Sequence, residues 1–130
     1  MMAKILIVDD SGMARRMLRG SLEPQGHQVV EAPDGAAALE RYFLEKPDLV
    51  FLDLTMAEMH GLDVLVKLRE MDPQARVIVA TADIQRSSQE MALARGASFF
   101  LNKPFSKQAV LSAVESTLER DQDEVDGTPD

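Results

Sequence analysis

The sequence contains no cysteine among its 130 residues, which excludes a disulfide framework, a thiolate metal site and a cysteine nucleophile. It also lacks any apolar run of the roughly 20 residues that a membrane-spanning helix needs. The first residues, Met1 to Lys4, lack the long apolar region of a secretory signal peptide. Basic residues are outnumbered, 14 against 22 acidic residues, so no basic surface for nucleic acid is expected. These absences predict a cytoplasmic protein that neither enters a membrane nor binds nucleic acid directly.

The acidic charge is concentrated at the end of the chain. The net charge is −8, and residues 121–130 contain five acidic residues and no lysine or arginine. Such a segment has almost nothing to bury, which predicts a disordered, solvated tail. The preceding 120 residues are enough for one domain with its own core. We therefore expect a single domain over residues 1–120 and an acidic tail over residues 121–130.

Five short apolar segments alternate with five segments of helical periodicity, which favours an α/β fold with a five-stranded parallel sheet covered on both faces. The most continuous apolar run, Leu49–Leu52, is typical of a strand buried on both faces. The predicted strands are residues 4–8, 28–32, 49–52, 76–80 and 98–102.

The helical segments differ in how much apolar surface they can bury. The second helix, predicted over residues 36–46, has Ala36, Leu39 and Phe43 as its expected inward stripe. The fourth helix has few large apolar residues, so we expect it to pack weakly. The eight methionines, among them Met13 and Met17, are expected to lie mostly in the core.

Polar residues follow four of the predicted strands. Asp9 and Asp10 follow the first strand, Asp53 the third, Thr81 the fourth and Lys103 the fifth. Because the carboxyl ends of parallel strands share one edge of the sheet, these residues are expected to form one site. Three clustered carboxylates repel one another unless a cation is present, and hard oxygen ligands favour Mg²⁺. A lysine ammonium and a threonine hydroxyl suit the oxygens of a phosphoryl group.

The site fits an aspartyl phosphate formed on one of the carboxylates. Asp9 and Asp10 are adjacent and suit a cation, whereas Asp53 stands alone and is the expected phosphate acceptor. The alternative for Asp53 alone is that it caps the element that follows the strand.

These five residues in this order, with Pro104 and Phe105 after the lysine, resemble the receiver domain of bacterial two-component response regulators. The resemblance covers about residues 3–120. It implies a flavodoxin-like, doubly wound (βα)5 fold with strand order 2-1-3-4-5.

The resemblance also implies how the site works. Asp53 accepts phosphate from a histidine kinase or a phosphotransfer protein. Asp10, Asp53 and the backbone carbonyl of Thr55 bind Mg²⁺, and Asp9 acts on the ion through water. Apart from this transfer to itself and its own dephosphorylation, such a domain is not an enzyme.

Thr81 and Lys103 are implied to bind the phosphoryl group, with a cis peptide at Lys103–Pro104. Phosphorylation is implied to draw Thr81 inward and let Phe100 rotate, which changes the face formed by the fourth helix, fifth strand and fifth helix.

Two positions near the acceptor are those at which the family tunes the lifetime of the phosphate, here Thr55 and Asp83. Asp83 either orients an attacking water or caps the fourth helix. One residue departs from the family pattern, because Ala57 replaces the usual proline four residues after the acceptor, and the loop loses a constraint on φ.

Output through a downstream target protein fits a stand-alone regulator of the chemotaxis type, and phosphorylation-dependent pairing of two copies is a further family expectation. A phosphorelay shuttle and a receiver fragment of a longer regulator fit equally well. The rivals of another class are an aspartyl-phosphate phosphatase and a pseudo-receiver without metal. The phosphatase needs a second aspartate two residues after the nucleophile, where this chain has Thr55.

Overall fold

Strands and helices alternate along the chain in a computed structural model that describes residues 2–126 and the side chains of residues 2–119. The strands are β1 (Lys4–Val8), β2 (Gln28–Ala32), β3 (Leu49–Leu52), β4 (Val77–Thr81) and β5 (Phe99–Asn102). The α-helices are α1 (Gly12–Leu22), α2 (Gly35–Glu45), α3 (Gly61–Met71), α4 (Arg86–Ala94) and α5 (Lys107–Asp126). A short 3₁₀ helix, Glu23–Gln25, follows α1. All five strands run parallel in the order β2-β1-β3-β4-β5, which confirms the predicted fold class.

The three central strands are almost completely buried, because helices cover both faces of the sheet. Leu6, Val8 and Leu52 face the layer formed by α2, α3 and α4. Ile5 and Phe51 face the opposite layer, formed by α1 and α5. The sheet therefore separates two apolar cores, which we call the α2–α4 core and the α1–α5 core.

The register of the central strands brings the acidic residues together. Val8 of β1 pairs with Leu52 of β3, so Asp9 and Asp53 are the next residues on two neighbouring strands. The Asp53 main-chain N–H donates to the Val8 carbonyl at 3.0 Å, which continues the hydrogen-bond ladder as far as Asp53. Both aspartates consequently leave the sheet at the same edge.

Side-chain caps fix where the helices begin. Ser11, Asp34, His60 and Ser106 each accept a hydrogen bond from a main-chain N–H two or three residues further along. Three of these helices, α1, α3 and α5, follow strands that are succeeded by the polar residues predicted for the site.

The predicted inward stripe of α2 is wrong. Tyr42 and Ala38 are buried, whereas Ala36 is exposed and Phe43 is 68% exposed. Leu39 does pack against the α2–α4 core. Both stripes have helical periodicity, and burial of Tyr42 is favoured because its hydroxyl donates to Asp72 Oδ2 at 2.7 Å.

The expectation that the methionines are mostly core residues is also wrong for α1. Met13 is 66% exposed and Met17 is 65% exposed, while Leu18 and Leu22 anchor the helix in the α1–α5 core. Met56 and Met59, in the loop after β3, do pack against the α2–α4 core. A thioether tolerates both environments, so composition alone does not assign it to either.

The last helix continues beyond the expected domain boundary at residue 120, since α5 ends at Asp126. The predicted disorder of residues 121–130 stays a prediction, and residues 127–130 lie outside the described part of the chain. Within residues 2–126, no helix is both long enough and apolar enough to cross a bilayer.

Candidate functional site

Asp53 follows β3 directly and is only 4% exposed. Its Oδ1 accepts hydrogen bonds from the main-chain N–H of Thr55 at 3.3 Å and from the Thr55 hydroxyl at 3.4 Å. The Lys103 ammonium lies 3.7 Å from its Oδ2. Burial raises the pKa of Asp53, the Lys103 charge opposes this rise, and the neighbouring Asp9 charge adds to it. The Asp53 carboxylate is thus buried beside the Lys103 ammonium.

Asp9 is buried and engaged through both side-chain oxygens. Oδ1 accepts from the main-chain N–H of Ser11 at 2.9 Å, and Oδ2 accepts from Lys103 Nζ at 2.7 Å. Lys103 is therefore nearer to Asp9 than to Asp53, and it joins the ends of β1, β3 and β5.

Asp10 is the exposed member of the acidic group. Its Oδ2 accepts from the main-chain N–H of Ala57 at 3.3 Å, across the mouth of the site. Asp9, Asp10 and Asp53 each place one carboxylate oxygen within 4.8 Å of the other two. Three hard oxygen donors at this spacing fit a small divalent cation, with water completing its coordination.

Thr81, the last residue of β4, is fully buried. Its Oγ1 accepts from the main-chain N–H of Asp83 at 3.2 Å, and a hydrogen bond from its side chain to Asp53 lowers the pKa of that carboxyl. Thr81 therefore links the buried carboxylate to the loop that leads into α4.

Lys103 follows β5, and its main-chain N–H donates to the Thr81 carbonyl at 2.8 Å. The Lys103–Pro104 peptide is cis, as the resemblance implied. Three residues before Lys103, Phe100 of β5 is half-buried against the α2–α4 core, while Phe99 packs on the α1–α5 core. The alternation of side chains along β5 thus puts the two rings on opposite faces of the sheet.

The Asp83 carboxylate makes local contacts at the start of α4. Oδ2 accepts from the Ser88 hydroxyl at 2.6 Å, and Oδ1 accepts from the Gln85 main-chain N–H at 3.0 Å. The Ser88 hydrogen bond lowers the pKa of Asp83. These contacts hold the Asp83 side chain in the turn before α4, whose N-cap position is taken by Gln85.

The structure thus brings together every residue predicted for the site from the strand ends. Sequence reasoning missed Arg15, whose Nη1 donates to the main-chain carbonyl of Asp9 at 2.6 Å. The sequence gives little indication of this contact, because an arginine in the first turn of a helix usually points into solvent.

Residues 5–115 match the family model described as the response regulator receiver domain. The chain belongs to the response regulator receiver domain family. Receiver domains of this family are signalling domains of two-component systems, and they bind Mg²⁺ at an acidic pocket.

Relatives of the receiver domain include chemotaxis regulators. The chemotaxis protein CheY of Bacillus subtilis is 43% identical over 116 residues, which cover 88% of this chain and 97% of that protein. A chain in the crystal structure of a CheX–CheY–BeF3–Mg²⁺ complex from Borrelia burgdorferi is similar with a TM-score of 0.85 and 33% identity, covering 88% of each chain.

The receiver fold also occurs in longer proteins. The crystal structure of NtrX from Brucella abortus is similar with a TM-score of 0.92 and 29% identity. The similarity covers 98% of this chain and only 30% of the NtrX chain. The receiver domain described here therefore resembles both a protein of its own length and one part of a larger protein.

Proposed function

We propose that this receiver accepts a phosphoryl group on Asp53 from a histidine kinase or a phosphotransfer protein, with Mg²⁺ held by Asp10, Asp53 and the backbone carbonyl of Thr55. The observation that carries the proposal is the buried Asp53 carboxylate, which lies 3.7 Å from the Lys103 ammonium and within a group of three carboxylates. Asp9 would act on the ion through water. The BeF3 and Mg²⁺ named with the Borrelia CheY agree with this chemistry.

The transfer needs an oxygen nucleophile and positive charge around the group that moves. A carboxylate oxygen of Asp53 forms a bond to phosphorus while the bond from phosphorus to the donor's imidazole nitrogen breaks. Lys103 and the Thr81 hydroxyl contact phosphoryl oxygens and stabilise the charge that develops on them. Bound Mg²⁺ supplies further positive charge for those oxygens.

The same contacts would couple the site to a protein-binding face. The Thr81 hydroxyl moves inward to donate to a phosphoryl oxygen, which draws its Oγ1 away from the Asp83 N–H, and Phe100 rotates into the space that Thr81 leaves. Weak packing of α4, which buries only Ala92, supports a shift of the face formed by α4, β5 and α5. Thr55 and Asp83 are the residues expected to set the lifetime of the phosphate.

The output is the binding of a downstream target protein in the cytoplasm, with phosphorylation-dependent pairing of two copies as a further expectation. The near-complete coverage of Bacillus subtilis CheY supports a stand-alone regulator of the chemotaxis type. The similarity covers only 30% of the NtrX chain, so a receiver within a longer regulator remains an alternative, as does a relay shuttle.

The test is incubation with acetyl phosphate and Mg²⁺, followed by intact mass measurement. We expect a single phosphoryl adduct in the wild type and none in Asp53→Asn. Asp63→Asn, which makes the same chemical change at an exposed position on α3, should retain the adduct. Multiple-turnover hydrolysis of a small phosphate ester would favour the phosphatase instead, and absence of any adduct would favour the pseudo-receiver.

A further inference from the structure

Arg15 contacts the acidic site from outside it. Its Nη1 donates to the main-chain carbonyl of Asp9 at 2.6 Å, and its Nε donates to Glu31 Oε1 at 2.8 Å. The first partner is the residue before Asp10, and the second belongs to β2, the edge strand. The guanidinium thus joins the end of β1 to its neighbour in the sheet through two hydrogen bonds with fixed relative directions.

Glu31 is itself held firmly. Its Oε2 accepts from Arg19 Nε at 2.7 Å, and its main-chain carbonyl accepts from Arg41 Nη1 at 3.2 Å. Burial pushes the pKa of Glu31 up, but the hydrogen bonds from Arg19 and Arg15 outweigh burial and hold this pKa below its ordinary value. Glu31 is therefore an ionised and immobile anchor for Arg15.

The main chain of Asp9 depends on this anchor. Its N–H donates to the Ala32 carbonyl at 3.2 Å, and its carbonyl accepts from Arg15. The carbonyl belongs to the peptide plane that joins Asp9 to Asp10, so Arg15 restrains that plane. Asp10 is exposed, and the hydrogen bond that its side chain accepts from the Ala57 main-chain N–H is long, at 3.3 Å. The direction of the Asp10 carboxylate is consequently set mainly by its main chain.

We propose that Arg15, anchored by Glu31, is a positioning residue that aims the Asp10 carboxylate toward the cation shared with Asp53. The inference rests on the proposed function, because it concerns the same Mg²⁺ site. Outer partners of metal ligands commonly contribute about 10- to 100-fold to metal affinity, so a measurable effect is expected from a residue that touches no ion.

The positioning role and a purely electrostatic role predict opposite signs. Arg15 carries a positive charge close to a site for a cation, so its charge taken alone weakens Mg²⁺ binding. Removing the charge should then tighten binding. If Arg15 instead positions Asp10, removing it should weaken binding although a repulsive charge has gone.

The experiment measures the Mg²⁺ dissociation constant of the whole chain by titration calorimetry for the wild type, Arg15→Gln and Arg16→Gln. Arg16 is the next residue on α1 and is exposed, so its substitution makes the same change of charge and of side-chain chemistry away from the Asp9 carbonyl. We expect Arg15→Gln to raise the dissociation constant about tenfold. Arg16→Gln should leave it unchanged or slightly lower it.

Two further measurements separate positioning from loss of fold or loss of charge. Thermal unfolding without Mg²⁺ should show that Arg15→Gln is folded at the temperature of the titration. With acetyl phosphate, the Mg²⁺ concentration for half-maximal rate should rise, while the rate at saturating Mg²⁺ stays near that of the wild type. Arg15→Lys keeps the positive charge but loses the planar guanidinium that makes both hydrogen bonds. Its Mg²⁺ dissociation constant should therefore resemble that of Arg15→Gln.

An Arg15→Gln variant that binds Mg²⁺ as tightly as the wild type, or more tightly, would overturn the positioning role and leave the proposed function intact. An Arg15→Lys variant with wild-type affinity would overturn it too, because charge alone would then suffice. A wild-type chain that does not bind Mg²⁺ would overturn both proposals.

Discussion

Gly61 begins α3 directly against the main chain at the end of β3. A Cβ atom at this position would overlap the Asp53 carbonyl oxygen and lie 2.5 Å from Leu54 Cα. The Gly61 N–H donates to the Leu54 carbonyl at 2.9 Å, so the helix cannot move away without losing that bond. The absence of a side chain here allows α3 to pack against the backbone of Asp53 and Leu54.

Replacing Gly61 by alanine should therefore displace the main chain of Asp53. We expect Gly61→Ala to lower the free energy of unfolding by about 1–3 kcal/mol, as overpacking does, and to slow phosphorylation by acetyl phosphate. Urea unfolding and the rate of adduct formation measure the two effects.

The control is Gly20→Ala on α1, where the added Cβ would meet no atom within 4 Å beyond its chain neighbours and the backbone of its own helix. It should raise the free energy of unfolding by about 0.4–1 kcal/mol, because alanine restricts the unfolded chain and fits the helix. Equal stabilisation by both substitutions would contradict the close packing of Gly61.

Tyr42 is the only tyrosine of the chain, and no tryptophan is present, so its ionisation can be followed without interference. Burial raises the pKa of Tyr42 above its ordinary value, and the hydrogen bond to Asp72 adds to the rise. The stability that the protonated phenol provides is fully present below the ordinary pKa of 10.0 and is lost as the pH rises through the folded value.

Two results are expected for Tyr42. In the wild type, phenolate absorbance should appear together with alkaline unfolding rather than at pH 10.0. Tyr42→Phe should lower the free energy of unfolding at neutral pH by about 1–2 kcal/mol, because it removes a hydrogen bond to a charged acceptor. Phe43→Leu, at the exposed neighbour, should change it by less than about 0.5 kcal/mol. A Tyr42 that titrates at its ordinary pKa in the folded protein would rule out this account.

The helices differ more than the strands in how firmly they are held. α3 buries Val64, Leu65 and Leu68, whereas α4 buries only Ala92 and leaves Leu93 45% exposed. A buried valine or leucine contributes about 1.5–3 kcal/mol, and α4 has no such anchor. The element next to Thr81 is thus the one that can shift with the smallest loss of apolar contact.

Hydrogen exchange should show this difference between the two helices. We expect amides in the middle of α4 to exchange at least about tenfold faster than those in the middle of α3, after correction for intrinsic rates, because local opening exposes less apolar surface. Nuclear magnetic resonance of the unphosphorylated chain gives both rates in one sample. Equal protection of α3 and α4 would argue against α4 as the moving element.

Part of the negative charge of the molecule is concentrated in the group formed by Asp9, Asp10 and Asp53. The chain carries a net charge of −8, and three of its carboxylates lie within 4.8 Å of one another, with one ammonium among them. Their mutual repulsion opposes folding, and a divalent cation relieves it. Global stability should therefore depend on Mg²⁺, since a ligand that binds only the native state stabilises it.

Adding Mg²⁺ at about 100 times its dissociation constant should raise the free energy of unfolding by about 2.7 kcal/mol. Asp10→Asn should remove most of this rise, because it replaces a negatively charged carboxylate ligand of the ion with a neutral amide. Asp63→Asn, at an exposed position of α3 outside the group of three carboxylates, should keep the rise in full. Thermal unfolding with and without Mg²⁺ at constant ionic strength distinguishes site binding from general screening, and a full rise in Asp10→Asn would contradict the assigned ligand.

The sequence by itself determined the elements and the members of the site. Continuous apolar runs predict strands such as Leu49–Leu52, because only a sheet covered on both faces tolerates them. Parallel strands then bring their polar ends to one edge, so Asp53 and Lys103 could be placed together although 50 positions separate them. Apolar periodicity and the alternation of strands with helices are properties of the chain, and they need no knowledge of side-chain packing.

Only the tertiary structure decided which side chains meet. Tyr42 and Phe43 are adjacent, and helical periodicity allows either ring to face the core. Tyr42 is the buried one, because Asp72 at the end of α3 accepts a hydrogen bond from its hydroxyl. The same holds for Arg15, whose contact with the Asp9 carbonyl depends on the packing of α1 against β1 and β2. These choices depend on distances of a few ångströms between separate elements, and such distances exist only once the elements have packed.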